Sequence, residues 1–384
     1  MTDIKEFNLL DVRKNSQITQ RLNNIYKLWG YEEVSPSTIN DIETIRGREV
    51  INQEELICLV SNKQLCLRPE MTASIVKLIS TRLINKRRPL RLWNNGIIFE
   101  KKEGYKNSKK LNEKIQSGIE LIGYDTQFPE IEIINILFES INSLKLKNDS
   151  KLVLLVSNTT IMELILNKYG KLNQEQIKKS MVNLDLDGLN KLDIDDNSKK
   201  VLKNLIFTRG NPMEVINHLK EVFGNSKILE DLRFLFNSIK TLAEKYNIQI
   251  QLDPTFQPHL NLYAGIVFQL VCISEDNKKY VVAKGGRYDE LVKYFNPKEI
   301  TPNGIGFSFS IDNLRKIVKT GINVEKKVLI IFNDKKNLYK AISEQRKLHS
   351  QNIMAIVELN PISNSKRAEY LKNENGCNEI LWIK

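Results

Sequence analysis

Histidine and cysteine are scarce in this chain. Its 384 residues include three histidines, His218, His259 and His349, and four cysteines, Cys58, Cys66, Cys272 and Cys377. None shows the close-paired spacing that holds zinc. A histidine/cysteine metal centre is therefore not expected, and the cysteines read as reduced and structural, as in a cytosolic chain. Long apolar runs are also missing. The strongest, Leu152 to Val156 and Val328 to Phe332, are far too short for a bilayer and suit buried strands. The first residues, Met-Thr-Asp-Ile-Lys-Glu-Phe, have no apolar core of signal-peptide length, so the expected location is the cytoplasm.

What is present is an ordinary globular composition, 41% hydrophobic and 27% charged, long enough for two or three domains. The net charge is +12. A basic chain can be a nucleic-acid binder. Here the positives are spread along the whole chain and interleaved with glutamate and aspartate, whereas a nucleic-acid footprint is a patch or stripe. Nucleic acid is not the expected partner, nor is a membrane.

The spacing of Ile18, Leu22, Ile25, Tyr26 and Trp29 predicts an amphipathic helix after Asp11, stopped by Gly30. A short strand follows over 31–34, and a helix over 72–83 after Arg68-Pro69. Residues 90–100 and 115–122 read as an antiparallel pair joined by a polar loop rich in lysine: Lys101, Lys102, Lys106, Lys109 and Lys110. Such lysines suit a solvated hairpin tip or contact with a polyanion. Strand 152–156 and helix 160–168 come next. From about 172 to 225 the pattern turns helical and polar, with breaks near Asp193–Asn197 and at Gly210-Asn211-Pro212. A helix over 227–245 precedes strands 248–252, 265–274 and 279–283. Gly285-Gly286 then reads as a bend or a close backbone approach. A strand and helix occupy 304–319. The tail, from about Glu325, has a βαβαβ order that implies a small parallel sheet.

Several segments, in order, resemble histidyl-tRNA synthetase and its non-catalytic relatives, the regulatory subunits of short-form ATP phosphoribosyltransferase. Gly30-Tyr-Glu-Glu-Val-Ser-Pro36 is similar to class II motif 1, the dimer segment of that family. Leu67-Arg-Pro-Glu-Met-Thr-Ala73 resembles its amino-acid-binding turn, and Leu90 to Gly123 its motif 2. Leu262-Tyr-Ala-Gly-Ile-Val-Phe268 with Gly285-Gly-Arg-Tyr-Asp289 resembles the histidine-specific region, and Gly304 to Leu314 motif 3. Together they span roughly residues 10–320. The resemblance implies an α+β fold: a class II aminoacyl-tRNA synthetase-like antiparallel sheet core flanked by helices over 1–320. A helical insertion at about 172–225 and a small C-terminal α/β domain at 325–384 complete it. That tail is short for the anticodon-binding domain of a synthetase.

The departures are as informative as the matches. Glu100 stands where motif 2 of a synthetase carries arginine, Asn313 where motif 3 does, and Pro258 approximately where a third arginine assists activation. Guanidinium suits phosphate through a permanent charge and a planar fork, and a carboxylate repels it. Adenylation depends on positioning and electrostatic stabilisation, so these losses remove its machinery. The amino-acid side is kept. By resemblance, Glu70, Thr72 and Gln116 surround an α-amino group, while Glu120, Tyr263 and Tyr288 lie near an imidazole. Carboxylates, an amide oxygen and phenols fit those partners. Taken alone, Glu70 also suits a helix start, Gln116 and Glu120 a solvated strand face, and the tyrosines a core.

The resemblance thus implies a catalytically inactive, cofactor-free regulatory subunit of ATP phosphoribosyltransferase. It would pair with the short catalytic chain, self-dimerise and take histidine as effector. A divergent tRNA-charging synthetase and a non-catalytic tRNA-binding module are the alternatives.

Overall fold

The computed structural model describes residues 6–42, 56–61, 63–103, 109–124, 128–169, 173–257, 263–319 and 326–384, with main chain only at 102–103 and 109–110. Two compact units are present, Met1–Lys319 and Thr320–Lys384. No described helix is long and apolar enough to cross a membrane.

The first unit begins with α1 (Leu9–Leu28). Asn8 caps it, its Oδ1 accepting from the Asp11 amide at 2.9 Å, and Asp11 complements the positive helix end. Asn15, Ile18, Leu22 and Tyr26 are its buried residues, at helical spacing. Gly30, at φ +77°, turns the chain out of the helix. β1 (Glu32–Glu33) follows. A small antiparallel sheet, order β2-β4-β3, is built from β2 (Ile39–Asp41), β3 (Ile57–Cys58) and β4 (Leu65–Leu67). Its two- and three-residue strands are too short to leave a periodic signal, and sequence reasoning missed them. Then come α2 (Thr72–Arg82), β5 (Leu90–Glu103), β6 (Lys109–Ile122), α3 (Pro129–Ser143), β7 (Lys151–Asn158) and α4 (Thr159–Tyr169).

The helical stretch holds α5 (Gln174–Asn183), α6 (Leu186–Asn190), α7 (Asp196–Phe207) and α8 (Pro212–Phe223). Its expected breaks are helix starts. Asp195 accepts from the Ser198 amide at 2.9 Å, and Asn211 from the Met213 amide at 2.9 Å, with Pro212 in the first turn. Gly210 exchanges two backbone hydrogen bonds with Leu252, of 3.1 and 2.9 Å, which ties this stretch to the sheet. After α9 (Lys227–Lys245) come β8 (Ile248–Leu252), β9 (Ile266–Ile273), β10 (Lys279–Arg287), α10 (Asp289–Phe295), β11 (Gly304–Ser310) and α11 (Ile311–Ile317).

The main sheet has eight strands in the order β1-β5-β6-β11-β10-β9-β7-β8. All neighbours are antiparallel except the outer pairs β1/β5 and β7/β8. Side chains alternate between its faces. Trp93, Asn95 and Ser117 meet α1: Tyr26 lies 6.1 Å from the Trp93 ring and 3.3 Å from Ser117 Oγ, and Asn95 donates to Asn23 at 3.0 Å. Asn94, Gln116 and Glu120 therefore face the other way.

Two sequence expectations need correction. Residues 101–103 and 109–114 are not a loop but strand, paired from Glu100↔Asn112 to Glu103↔Lys109. A charged two-stranded ribbon has no core face to mark with apolar residues, so its sequence resembles a loop. Lys101, Lys102, Lys109 and Lys110 thus sit on strands, and Lys106 lies outside the described residues. Of the two readings of Gly285-Gly286, the bend is absent, for β10 runs on to Arg287, and the close backbone approach is present: a Cβ would fall 2.5 Å from Gly306 O at Gly285 and 2.7 Å from Ile266 O at Gly286.

The second unit is a parallel three-stranded sheet, order β13-β12-β14, from β12 (Lys327–Phe332), β13 (Met354–Val357) and β14 (Glu379–Ile383). α12 (Leu338–Ser350) and α13 (Ser365–Glu374) are its crossovers. Val328, Ile330 and Phe332 pack with Ala341, and Leu329 and Ile331 with Ala368 and Leu371. Both faces of β12 are covered, which is why it reads as a continuous apolar run.

Arg315 of α11 binds the first helix to the sheet. It is 8% exposed, donates to Asn15 Oδ1 at 2.7 Å and Asp312 at 3.0 Å, and lies 3.4 Å from Asp11. Asp312 also accepts from the Ile115 amide of β6 at 3.0 Å. Arg315→Met should cost about 3 kcal/mol in urea unfolding, because it removes a buried guanidinium that is hydrogen-bonded to both Asn15 and Asp312. The exposed neighbour substitution Lys316→Met should change stability by less than about 0.5 kcal/mol.

Candidate functional site

The polar face of the sheet floors a cavity of 480 Å³. Its deepest charged group is Glu120 of β6, 4% exposed. One carboxylate oxygen accepts from the Thr72 hydroxyl at 2.9 Å, the other from the Tyr288 hydroxyl at 2.5 Å. Glu120 pairs with Gly306 of β11. A Cβ there would fall 1.9 Å from Glu120 Oε2, so only glycine leaves room for the buried carboxylate. Burial raises the Glu120 carboxyl to about 8; the Tyr288 and Thr72 hydroxyls pull it back, and nearby Glu70 adds to the rise.

Glu70 stands at the start of α2. Its two oxygens accept from the amides of Thr72 at 2.6 Å and Ala73 at 2.7 Å, which satisfies otherwise orphaned helix donors. Burial raises this carboxyl too, against those hydrogen bonds. The turn is clamped onto the sheet by Arg68, 6% exposed, which donates to Ile97 O at 2.7 Å and Pro36 O at 2.8 Å. The Phe99 amide donates back to Arg68 O at 3.0 Å.

Gln116 and Tyr263 also line the cavity, and neither side chain makes a hydrogen bond with the described residues. Burial, then the charges of Glu120 and Glu70, push the Tyr263 phenol upward. Its ring lies over Gly286, where a Cβ would come within 2.8 Å of it.

Of the six residues expected at an amino-acid site, Glu70, Thr72, Gln116, Glu120 and Tyr263 line this one cavity. Tyr288 does not. It is 1% exposed and packed in the core, where it supports Glu120 from behind. The rest of the Gly-Gly-Arg-Tyr-Asp segment is structural: Asp289 accepts from Gly304 N at 3.0 Å and from Arg287 at 2.7 Å. Among the positions where a synthetase carries arginine, Glu100 lines the cavity and forms an ion pair with Lys114. Asn313 is spent on structure, donating to Val281 O at 2.9 Å. Pro258 lies outside the described residues. No arginine is among the described residues that line the cavity.

Sequence reasoning missed Asn94, Lys114, Gln269 and Lys284, which also line it. Asn94 is 2% exposed and its Oδ1 has no donor; the buried Gln257 Nε2 has no acceptor. The available signal was a lone lysine, Lys284, in the otherwise apolar Val281-Val-Ala-Lys-Gly-Gly strand.

A sheet of this order, with acceptors over its centre and a motif 1 strand at one edge, defines the class II synthetase-like fold. A histidyl-tRNA synthetase family model matches residues 3–314. A Prochlorococcus marinus subsp. pastoris ATP phosphoribosyltransferase regulatory subunit is 58% identical over 384 residues, covering 100% of both chains. Two solved structures share the fold. A Bacillus halodurans ATP phosphoribosyltransferase regulatory subunit/histidyl-tRNA synthetase has TM-score 0.80 at 20% identity, covering 99% of this chain and 96% of the other. A histidyl-tRNA synthetase from Nostoc has TM-score 0.80 at 15% identity, covering 97% of this chain and 88% of the other. This chain belongs to the histidyl-tRNA synthetase-like family of ATP phosphoribosyltransferase regulatory subunits.

Glu120 makes a pH signature. Its folded pKa of about 8 lies above the ordinary 4.5, so the folded chain keeps a proton that the unfolded chain has released. The contribution of this group to stability therefore falls as pH rises from about 4.5 to about 8. Glu120→Gln removes that slope. Thermal melts of the empty chain should show the variant gaining on wild type between pH 5 and pH 8, and a pH-independent difference would contradict the buried carboxyl.

Proposed function

We propose that this chain is the non-catalytic regulatory subunit of ATP phosphoribosyltransferase in histidine biosynthesis, and that its cavity is the histidine sensor. One observation carries the reading. The cavity keeps acceptors for an amino acid, Glu70, Gln116, Glu120 and Tyr263, while Glu100 takes the place of a phosphate-binding arginine. An ammonium and an imidazole are the cations or donors such a set receives. ATP, with its phosphates, meets a carboxylate instead. The partner is the separate short catalytic chain, the setting is the cytoplasm, and no cofactor is required.

Regulation then follows from linkage. Histidine inhibits when it binds one state of the complex better than another, with a coupling typically of about 1–3 kcal/mol. Self-association through the 31–36 segment belongs to the same reading. β1 is an edge strand, and α1 ends just before it on the exposed Leu28 (82%), apolar surface that a second copy can cover.

The test is feedback inhibition of the reconstituted complex. Tyr263→Phe removes one hydroxyl, and Glu120→Ala removes the buried acceptor. A hydrogen bond to a charged group contributes about 1.5–3 kcal/mol, so Glu120→Ala should raise the inhibition constant for histidine by about tenfold or more. Tyr263→Phe should raise it by less. If both variants are inhibited like wild type, the cavity is not the sensor.

A further inference from the structure

An amino acid is a zwitterion, so a cavity that gathers acceptors for its ammonium also needs a cation for its carboxylate. The lining cations among the described residues are Lys101, Lys114 and Lys284. Lys114 is neutralised by Glu100. Lys101 lies out along the β5/β6 ribbon, nine residues from Leu92, the partner of Glu120 on β5, or about 30 Å along the strand. Lys284 remains. It makes no hydrogen bond or ion pair with the described residues.

The sheet register places Lys284 within the recognition floor. Asn94 pairs with Gly118, Gly118 with Ser308, Ser308 with Lys284, and Lys284 with Gln269. Directly paired residues share a face, and all five positions line the cavity. The row beside it runs Glu120, Gly306, Gly286. Lys284 is thus two strands from Glu120, about 10 Å across, and two residues, about 7 Å, along. Gly306 and Gly286 carry no side chains of their own in that second row: the Glu120 carboxylate lies over the first and the Tyr263 ring over the second, so both groups face the same space as Lys284.

Resting on the sensor reading above, we propose that Lys284 is the residue that holds the carboxylate of the bound amino acid, with the Gln269 amide beside it. Glu70 and Gln116 then face the α-ammonium carried by the same carbon, and Glu120 the imidazole at the far end of the ligand. Lys284 is exposed to the cavity, yet enclosure by surrounding protein and the Lys114 ammonium both lower its pKa, opposed by Glu100. A ligand carboxylate supplies the missing countercharge. Asn94, with a buried oxygen that has no donor, closes the row at its other end. Sequence order scatters these residues over five strands, and only the register assembles them.

Calorimetry on the full-length chain separates this role from a solvated lysine that merely covers the cavity wall. The probes are L-histidine and histamine, which lacks the carboxylate. Wild type should bind histidine at least tenfold more tightly than histamine. Lys284→Met, which keeps the apolar stem, should weaken histidine by tenfold or more and leave histamine unchanged. Lys284→Arg should restore part of the preference for histidine. If Lys284→Met binds both probes like wild type, or loses both equally, the assignment of Lys284 fails while the sensor reading stands. If wild type binds neither probe, both fall together.

Discussion

A carboxylate that is 4% exposed must be surrounded by donors or give up its charge, and Glu120 governs the site for that reason. Its two donors arrive from different parts of the fold, Thr72 from the start of α2 and Tyr288 from the end of β10. Bringing them together requires Arg68 to clamp the 68–72 turn onto β5, and requires glycine at 306 beneath the carboxylate. Burial raises both carboxyls of the empty site, Glu120 and Glu70, and a ligand that brings a cation favours their charged forms.

The other end of the cavity is organised against phosphate. Glu100 neutralises Lys114 there, and Asn313, which does not line the cavity, is tied to the backbone of β10. Loss of a single preorganised charge typically costs a few kcal/mol of transition-state stabilisation, and here the fold offers no arginine among the described lining residues. On the proposed reading, one frame keeps ligand recognition while the chemistry that would follow it is removed. This is the property an effector site needs, because a sensor must release its ligand unchanged.

Much of this was legible in the sequence, for identifiable reasons. α1 shows helical spacing with a capping residue, α2 starts just after Pro69 with Glu70 holding its first amides, and β12 shows a continuous apolar run, so local pattern and fold agree. Glu70 and Thr72 sit in one short turn and Gln116 and Glu120 on one strand, so a contiguous motif points to them. Tyr288 looked equally eligible, because a motif does not say which side of a carboxylate a phenol occupies. The β5/β6 ribbon was hidden by its charge, and the strand character of Gly285-Gly286 by the usual role of glycine as a breaker. Lys284 left a trace, as a lone lysine in an apolar strand, but its grouping with Asn94 and Gln269 was out of reach for a different reason. Their proximity is a property of strand register across the sheet, and no local pattern records it.

The central claim is that the amino-acid half of the cavity works without the phosphate half. Histidine-dependent ATP–pyrophosphate exchange, measured on a sample that retains labelled histidine in equilibrium dialysis, tests this most directly. The account predicts bound histidine, no exchange above background, and no change in histidine occupancy when ATP and magnesium are added. Exchange at ordinary enzyme levels that depends on histidine would contradict it.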